Sequence, residues 1–234
     1  MPISNLGNGL RTGVCTSTNR PTTPYEGQVI YETDTDKVFV WNGTAWVIPN
    51  SPAQNPTGLE LIKTCTVTSA GGTAATASGG VVTIGTSNTS VTVSNAFSAT
   101  YDNYVIMISG GVATADMNLH LTLGSTATGY YYGGMYAKYD GTSSVFAAVA
   151  NNTFFDIGYA STNALSGKGE LDSPFLAKRT VLRSTATGTS TTYYMNNYAG
   201  FLNDATSYTA FTITASGVTT MTGGTIRVYG YRNS

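Results

Sequence analysis

"NYVIMIS", residues 103–109, carries the clearest information about the fold, because every internal position in it is apolar. This pattern predicts a central strand that is covered on both faces of a sheet. Three other stretches alternate apolar and polar residues, which indicates strands with one face in water: "NLHLTL" (118–123), "AFTITAS" (210–216) and "TIRVYGY" (225–231). About ten such segments, separated by turn-forming residues, predict an all-β fold built on an antiparallel β-sandwich of the jelly-roll type.

A second stretch, "EGQVIYETDTDKVFVWNGTAW" (26–46), predicts a small β-meander. Its strands are expected at residues 28–33, 37–41 and 44–48. The dipeptide Asn42-Gly43 is a strong signal for a two-residue hairpin turn. A turn of that length places Trp41 opposite Thr44 in the register of the hairpin.

Alternation along these strands gives the meander two apolar faces. An aromatic face is formed by Phe39, Trp41 and Trp46, and an aliphatic face by Val38, Val40, Ala45 and Val47. A unit of about 20 residues cannot shield two apolar faces from water. We therefore expect neighbours to cover them, either other copies of the chain or the second domain.

The distribution of residue types divides the chain near residue 58. Six of the seven prolines and both tryptophans precede this point, whereas 14 of the 16 tyrosines follow it. The stretch "PNSPAQNPTG" (49–58) has proline spacing that disfavours helix and strand, which predicts an extended linker. The expected organisation is an N-terminal arm and hairpin module over residues 1–48, the linker, and a β-sandwich domain over residues 59–234.

The composition excludes several classes of partner. Only 10% of the residues are charged and the net charge is −1, which lacks the positive charge of a protein that binds nucleic acid or anionic membranes. No apolar run approaches the ~20 residues of a membrane span, and the N terminus lacks the apolar segment of a secretory signal. We expect protein or glycan partners, assembly in a cytoplasm, and free thiols at Cys15 and Cys65.

The sequence offers no pattern for catalysis or for a cofactor. The single histidine, His120, shares the polar face of its strand with Asn118 and Thr122, so we expect an exposed imidazole without catalytic partners. Cysteine and histidine are too few and too scattered for a zinc site. The carboxylates after residue 58 show no paired spacing for glycoside cleavage. The prediction is a protein that is not an enzyme and uses no metal or cofactor.

Two tyrosine-dense segments, "GYYYGGMYAKY" (129–139) and "TTYYMNNY" (191–198), are the best candidates for recognition. Tyrosine combines a large, rigid contact area with a hydrogen-bonding tip, which suits protein interfaces and the stacking of sugars. The possible recognition residues are Tyr130, Tyr131, Tyr132, Tyr136, Tyr193 and Tyr194. The alternative, that these tyrosines belong to the core or to the sheet surface, has equal weight at this point.

Three stretches carry a resemblance to phage proteins. "RPTTPYEGQVIYETDTDKVFVWNGTAW" (20–46) resembles the short amino-terminal module of many tailed-bacteriophage virion proteins. "PFLAKRT" (174–180) and "GGTIRVYGYRNS" (223–234) resemble the β-rich carboxy-terminal part of phage structural proteins, many of them from phages of cyanobacteria and other marine bacteria. The resemblance implies a non-enzymatic, homotrimeric particle protein.

Within a virion, the resemblance allows more than one position. The first hypothesis is a capsid-decorating (cement) protein that binds the phage major capsid protein at the outer head surface and stabilises the shell. Residues before Arg20 would contact the shell, while Phe39, Trp41, Trp46, Val38 and Val40 would pack between three copies around a threefold axis. The alternative is a short tail fibre or receptor-binding protein, attached to tail proteins and recognising a host surface glycan.

Overall fold

The computed structural model describes residues 12–49, 58–142, 144–189 and 194–232. Within these ranges the regular structure consists of strands without any helix, so the predicted all-β class is confirmed. The chain forms two compact units, a small unit of residues 1–55 and a large unit of residues 56–234. The first eleven residues of the predicted arm and residues 50–57 of the predicted linker are among the residues outside these ranges.

The small unit is a mixed sheet in the order β1-β2-β3-β4. Its strands are β1 Gly13–Cys15, β2 Val29–Glu32, β3 Lys37–Trp41 and β4 Trp46–Val47. The three later strands form the predicted antiparallel meander, and β1 adds to it in parallel with β2. The sequence analysis missed β1, because a three-residue strand is too short to show a period.

The hairpin between β3 and β4 differs from the predicted one in its turn. Trp41 pairs with Trp46, so the connection has four residues rather than two. The side-chain carbonyl of Asn42 accepts hydrogen bonds from the backbone N–H groups of Thr44 (3.0 Å) and Ala45 (2.8 Å). This side-chain turn replaces the type I′ turn, which needs positive φ at both central residues; here only Gly43 has it, at 93°. The two-residue shift leaves each side chain on its predicted face.

The large unit is one curled sheet that contains 17 strands among the described residues, all paired antiparallel. The strands are β5 Leu59–Leu61, β6 Thr66–Gly71, β7 Thr76–Ser78, β8 Val81–Thr83, β9 Asn88–Ser94, β10 Tyr101–Gly110, β11 Val112–Ala113, β12 Met117–Leu123, β13 Tyr130–Lys138, β14 Ser144–Asn152, β15 Phe155–Ala160, β16 Leu165–Asp172, β17 Val181–Thr187, β18 Tyr194–Leu202, β19 Phe211–Ala215, β20 Met221–Thr222 and β21 Thr225–Arg232. Its inner faces share one apolar core, which agrees with the predicted β-sandwich.

Strand β10 holds the predicted central position, between β16 and β21. On one side the sheet continues through β21 to β5 and β8. On the other it runs from β16 through β15, β12, β19 and β9 to β6. A second series of strands also extends from β16, in the order β17, β18, β13 and β14. We refer to these four strands as the branch.

The prediction that β10 is covered on both faces is only partly correct. Its core face is buried throughout, and on the other face Val105 is buried as well. Met107, however, is 43% exposed. Its register neighbours are Lys168 and Arg227, whose charged ends keep this part of the face in water.

The inward side of each alternating segment is confirmed, whereas the expected water-exposed face is wrong for β12, where Asn118, His120 and Thr122 are partly buried. The inward residues are fully or almost fully buried in the core: Leu119, Leu121 and Leu123 of β12, Phe211 and Ile213 of β19, and Ile226 and Val228 of β21. Cys65 is buried, Cys15 is partly buried, and both are free thiols, as expected.

Candidate functional site

The small unit covers its aromatic face with its own chain. Ile30 lies on this face, opposite Phe39 in the ladder, and is buried. The guanidinium of Arg20 lies 4.6 Å from the centre of the Phe39 ring. The rings of Trp41 and Trp46 meet edge to face at 5.5 Å. The three aromatic residues predicted for trimer packing are therefore already half-buried within one chain.

A buried ion pair ties the segment before β2 to this face. The Glu32 side chain is fully buried, and its Oε1 accepts a hydrogen bond from Nε of Arg20. Its Oε2 accepts one from the hydroxyl of Thr35 at 2.8 Å. The Arg20 hydrogen bond holds the pKa of Glu32 below its usual value. Both carboxylate oxygens therefore have hydrogen-bond partners, which offsets part of the cost of burying the charge.

The aliphatic face, in contrast, is open. Val38 and Val47 are exposed, and Val40 is half-buried. Among the described residues of the small unit, Ile30 is the single apolar side chain that is fully buried. The expectation that neighbours cover this unit stays a prediction, and the structure directs it to the aliphatic face.

The predicted recognition tyrosines lie in different environments, and two of them belong to the core. Tyr130 is 0% exposed and Tyr132 is 6% exposed, and both belong to the apolar core of the large unit. The reason is the strand period, which turns alternate side chains of β13 inward. Tyr131 points to the other face and stacks on Phe201 at 5.4 Å. Tyr193 lies outside the described residues.

Tyr136 and Tyr194 come together in a cavity of about 260 Å³. Tyr198 and Asn196 of β18 and Asn118 of β12 complete its lining. Here the branch packs over the polar face of β12. The cavity is therefore lined by three phenol rings and two amides, and it is our candidate functional site.

The register of the branch places these side chains side by side. Tyr136 of β13 pairs with Asn196 of β18, and Gly134 pairs with Tyr198. A Cβ atom on Gly134 would lie 2.0 Å from the carbonyl oxygen of Asn197 and 2.8 Å from Cδ1 of Tyr198. Glycine is required there, because it lets the Tyr198 ring lie against the backbone of β13.

A histidine–aspartate pair lies next to the cavity, and it corrects the expectation of an exposed His120. The side chains of His120 and Asp156 are only 14% and 10% exposed, and Nε2 lies 3.4 Å from Oδ1. The Phe154 ring stacks flat on the imidazole, with 3.4 Å between ring centres. Tyr132 donates a hydrogen bond to Oδ2 of Asp156 at 3.2 Å. The polar face of β12 is thus an internal surface.

Burial controls the protonation of this pair. It raises the pKa of Asp156 to about 6, against the opposing hydrogen bonds from Tyr132 and Asn118. It lowers the pKa of His120 to about 4. At neutral pH the site therefore holds a carboxylate and a neutral imidazole.

A second cavity of about 300 Å³ adjoins His120 on the side of Phe154. Threonine and serine hydroxyls supply much of its lining, among them Thr122, Ser125 and Thr214. Among the described residues His120 makes no hydrogen bond to any of these hydroxyls, so a nucleophile and its base are not assembled. In the same part of the chain no three His, Cys, Asp or Glu side chains come together as metal ligands.

The pairing of His120 with Asp156 had no local signal in the sequence. The two residues meet because β12 and β15 are neighbours, with His120 opposite Asp156 in the ladder. Two residues on separate strands gain such proximity only through long-range strand pairing, and no period within either strand reveals it.

Comparisons of the chain with protein-family models, with curated proteins and with solved structures found no match. Within the described ranges, no helix has the length and apolar character needed to cross a membrane.

Proposed function

We propose that this chain is a non-enzymatic structural protein of a tailed-phage virion, a homotrimer that decorates the outer head surface and stabilises the shell. The observation that carries the proposal is the open aliphatic face of the small unit. A unit with one fully buried apolar side chain, Ile30, gains stability when further apolar surface is covered. The resemblance of residues 20–46 to modules of phage virion proteins supports a place in a virion.

Three copies related by a threefold axis supply that cover in a closed assembly. In this arrangement the aliphatic faces, with Val38 and Val40, pack between chains, while the half-buried aromatic residues support the hairpin from behind. The residues before Arg20 then contact the major capsid protein. Val14 in this segment is 68% exposed, which leaves an apolar side chain available for that contact.

Such a protein acts by binding to the shell and does not catalyse a reaction. A standard protein interface buries ~1,600 Å². Three arms on one trimer act together, so their combined affinity exceeds that of a single arm. A decoration protein of this kind adds interface area between capsid subunits and raises the stability of the shell.

The test is the copy number and position of the chain in purified particles. Quantitative mass spectrometry of virions should find hundreds of copies, and gold-labelled antibody should mark the head. A handful of copies with label on the tail would contradict head decoration, and absence from particles would contradict the virion role.

A short tail fibre that recognises a host glycan is the second candidate, and the tyrosine–asparagine cavity favours it. Phenol rings and amides are suited to glycan recognition, and Tyr136 and Tyr194 line the cavity. The same copy-number measurement separates this candidate from head decoration.

A further inference from the structure

The cavity between the branch and β12 is lined by polar side chains for which the described residues supply no hydrogen bond. Asn196 and Tyr198 are each 6% exposed and both line it. In the part of the chain that the structure describes, neither side chain makes a hydrogen bond to protein, and the Tyr136 hydroxyl makes none either. These groups are therefore available to a molecule that enters the cavity.

The chemistry of the lining selects the class of molecule. The described lining residues are uncharged. Two charged groups lie beside this lining: the Lys138 ammonium, 5.6 Å from the centre of the Tyr194 ring, and the Asp156 carboxylate, which is hydrogen-bonded by Asn118. Each amide both donates and accepts hydrogen bonds, and each phenol hydroxyl does the same. A ligand that matches this set carries several neutral hydroxyl groups.

The aromatic rings add a second requirement. Tyr136 and Tyr194 meet edge to face, with ring centres 5.0 Å apart and an angle of 84° between their planes. Such an aromatic corner contacts an apolar C–H surface well. A sugar ring presents C–H groups on its faces and hydroxyls at its edge, and so meets both requirements.

We propose that this cavity binds the terminal ring of a neutral saccharide, with the hydroxyls hydrogen-bonded to Asn118, Asn196 and the Tyr136 phenol. Its volume of about 260 Å³ lies just below the ~300–1,000 Å³ of sites for drug-sized ligands, which fits one ring rather than a long glycan segment. The inference goes beyond the proposed structural role and applies at either position in the virion.

The experiment is ligand-observed NMR on the full chain. The probes are glucose, galactose, N-acetylglucosamine and their β-linked disaccharides, with glucuronic acid as the charged comparison. Wild-type protein should bind at least one neutral probe more tightly than glucuronic acid. Tyr136→Ala and Asn196→Asp should weaken that binding about tenfold or more, because each removes a partner from the ring.

Two further variants serve as a conservative replacement within the cavity and as a control outside it. Tyr136→Phe retains the ring and loses only the hydroxyl, so it should fold normally and bind several-fold more weakly. Tyr231→Ala removes a 43% exposed tyrosine from β21 and should bind as wild type does. The proposal is overturned if no neutral probe binds, if only glucuronic acid binds, or if the cavity variants bind as tightly as Tyr231→Ala. The measurement needs neither a particle nor a trimer, so it can fail while the virion role stands.

Discussion

Tyr130 shows how one buried hydroxyl joins two parts of the core. Its oxygen accepts a hydrogen bond from the N–H of Leu123 at 2.9 Å and donates one to the carbonyl of Thr126 at 3.0 Å. The ring also packs edge to face on Phe155 at 4.8 Å. The side chain therefore links β13 to the end of β12 and to β15.

Replacing Tyr130 by phenylalanine measures how much the hydroxyl contributes to the free energy of unfolding. Tyr130→Phe should lower the free energy of unfolding by about 1–3 kcal/mol, because two buried backbone groups lose their partner. Urea unfolding at constant pH gives the change. Tyr131→Phe is the matched control on the outward face, and we expect a change below about 0.5 kcal/mol for it. Equal effects of the two variants would refute the role given to the Tyr130 hydroxyl.

The His120–Asp156 pair should make stability depend on pH through two opposing effects. The pKa of Asp156 is raised to about 6 in the fold, so its contribution becomes more favourable as the pH falls through 6. The pKa of His120 is lowered to about 4, so the stability it contributes is complete above its unfolded pKa and is lost as the pH falls towards 4. In the wild type the two effects largely cancel between pH 6 and 4.

Replacing either His120 or Asp156 should reveal the pH dependence of stability that the remaining residue causes. Asp156→Asn should lose stability relative to wild type as the pH falls from about 6.5 to 4, by up to roughly 3 kcal/mol. His120→Gln should show the opposite slope and gain relative stability over the same range. Urea midpoints measured at half-unit pH steps test both slopes. Parallel profiles for all three proteins would show that the pair does not titrate as described.

At the level of strands, the hairpin of the small unit has one supported face and one open face. The aromatic face packs on Arg20 and Ile30, whereas Val38 and Val47 on the aliphatic face are exposed. A sheet this small gains little stability from its own burial. The open face is where we propose that other copies of the chain pack.

A charge on that face should dissociate the trimer. Val47→Asp places a carboxylate in the expected interface, and an unpaired buried charge is strongly unfavourable. Light scattering after size-exclusion chromatography should show the mass falling to that of one chain. Thr23→Asp, at an exposed loop position of the same unit, should leave the trimer intact. A trimer that survives Val47→Asp would exclude the aliphatic face as the interface.

For the whole molecule, the division into two units places the apolar core in one unit and the proposed trimer interface in the other. The apolar core belongs entirely to the large unit, where it runs from Ile62 to Val228. None of the small unit's residues that the structure describes belongs to this core. We therefore expect the large unit to fold without the small one.

A truncated chain tests this separation. Residues 56–234 alone should fold, with a thermal midpoint within a few degrees of the full chain, because the core is complete. The truncated protein should be monomeric, since the aliphatic face has been removed. Scanning calorimetry and light scattering check the two statements. A truncated chain that is unfolded, or that still forms trimers, would contradict them.

Local patterns were sufficient for much of the architecture. A continuous apolar run predicted the central place of residues 103–109. Strand alternation predicted the inward side chains of β12, β19 and β21, because a period of two is a property of each segment alone. The same rule predicted the faces of the hairpin even though its turn was wrong, because a shift of two residues keeps every side chain on its side.

Long-range pairing determined the rest. That His120 is buried beside Asp156, that Tyr130 and Tyr132 are core residues, and that Tyr136, Asn196 and Asn118 share a cavity all follow from which strands become neighbours. The branch covers a face of β12 that its polar residues alone would assign to water. Neighbours distant in sequence are chosen by the packing of the whole core, and no single segment carries that information.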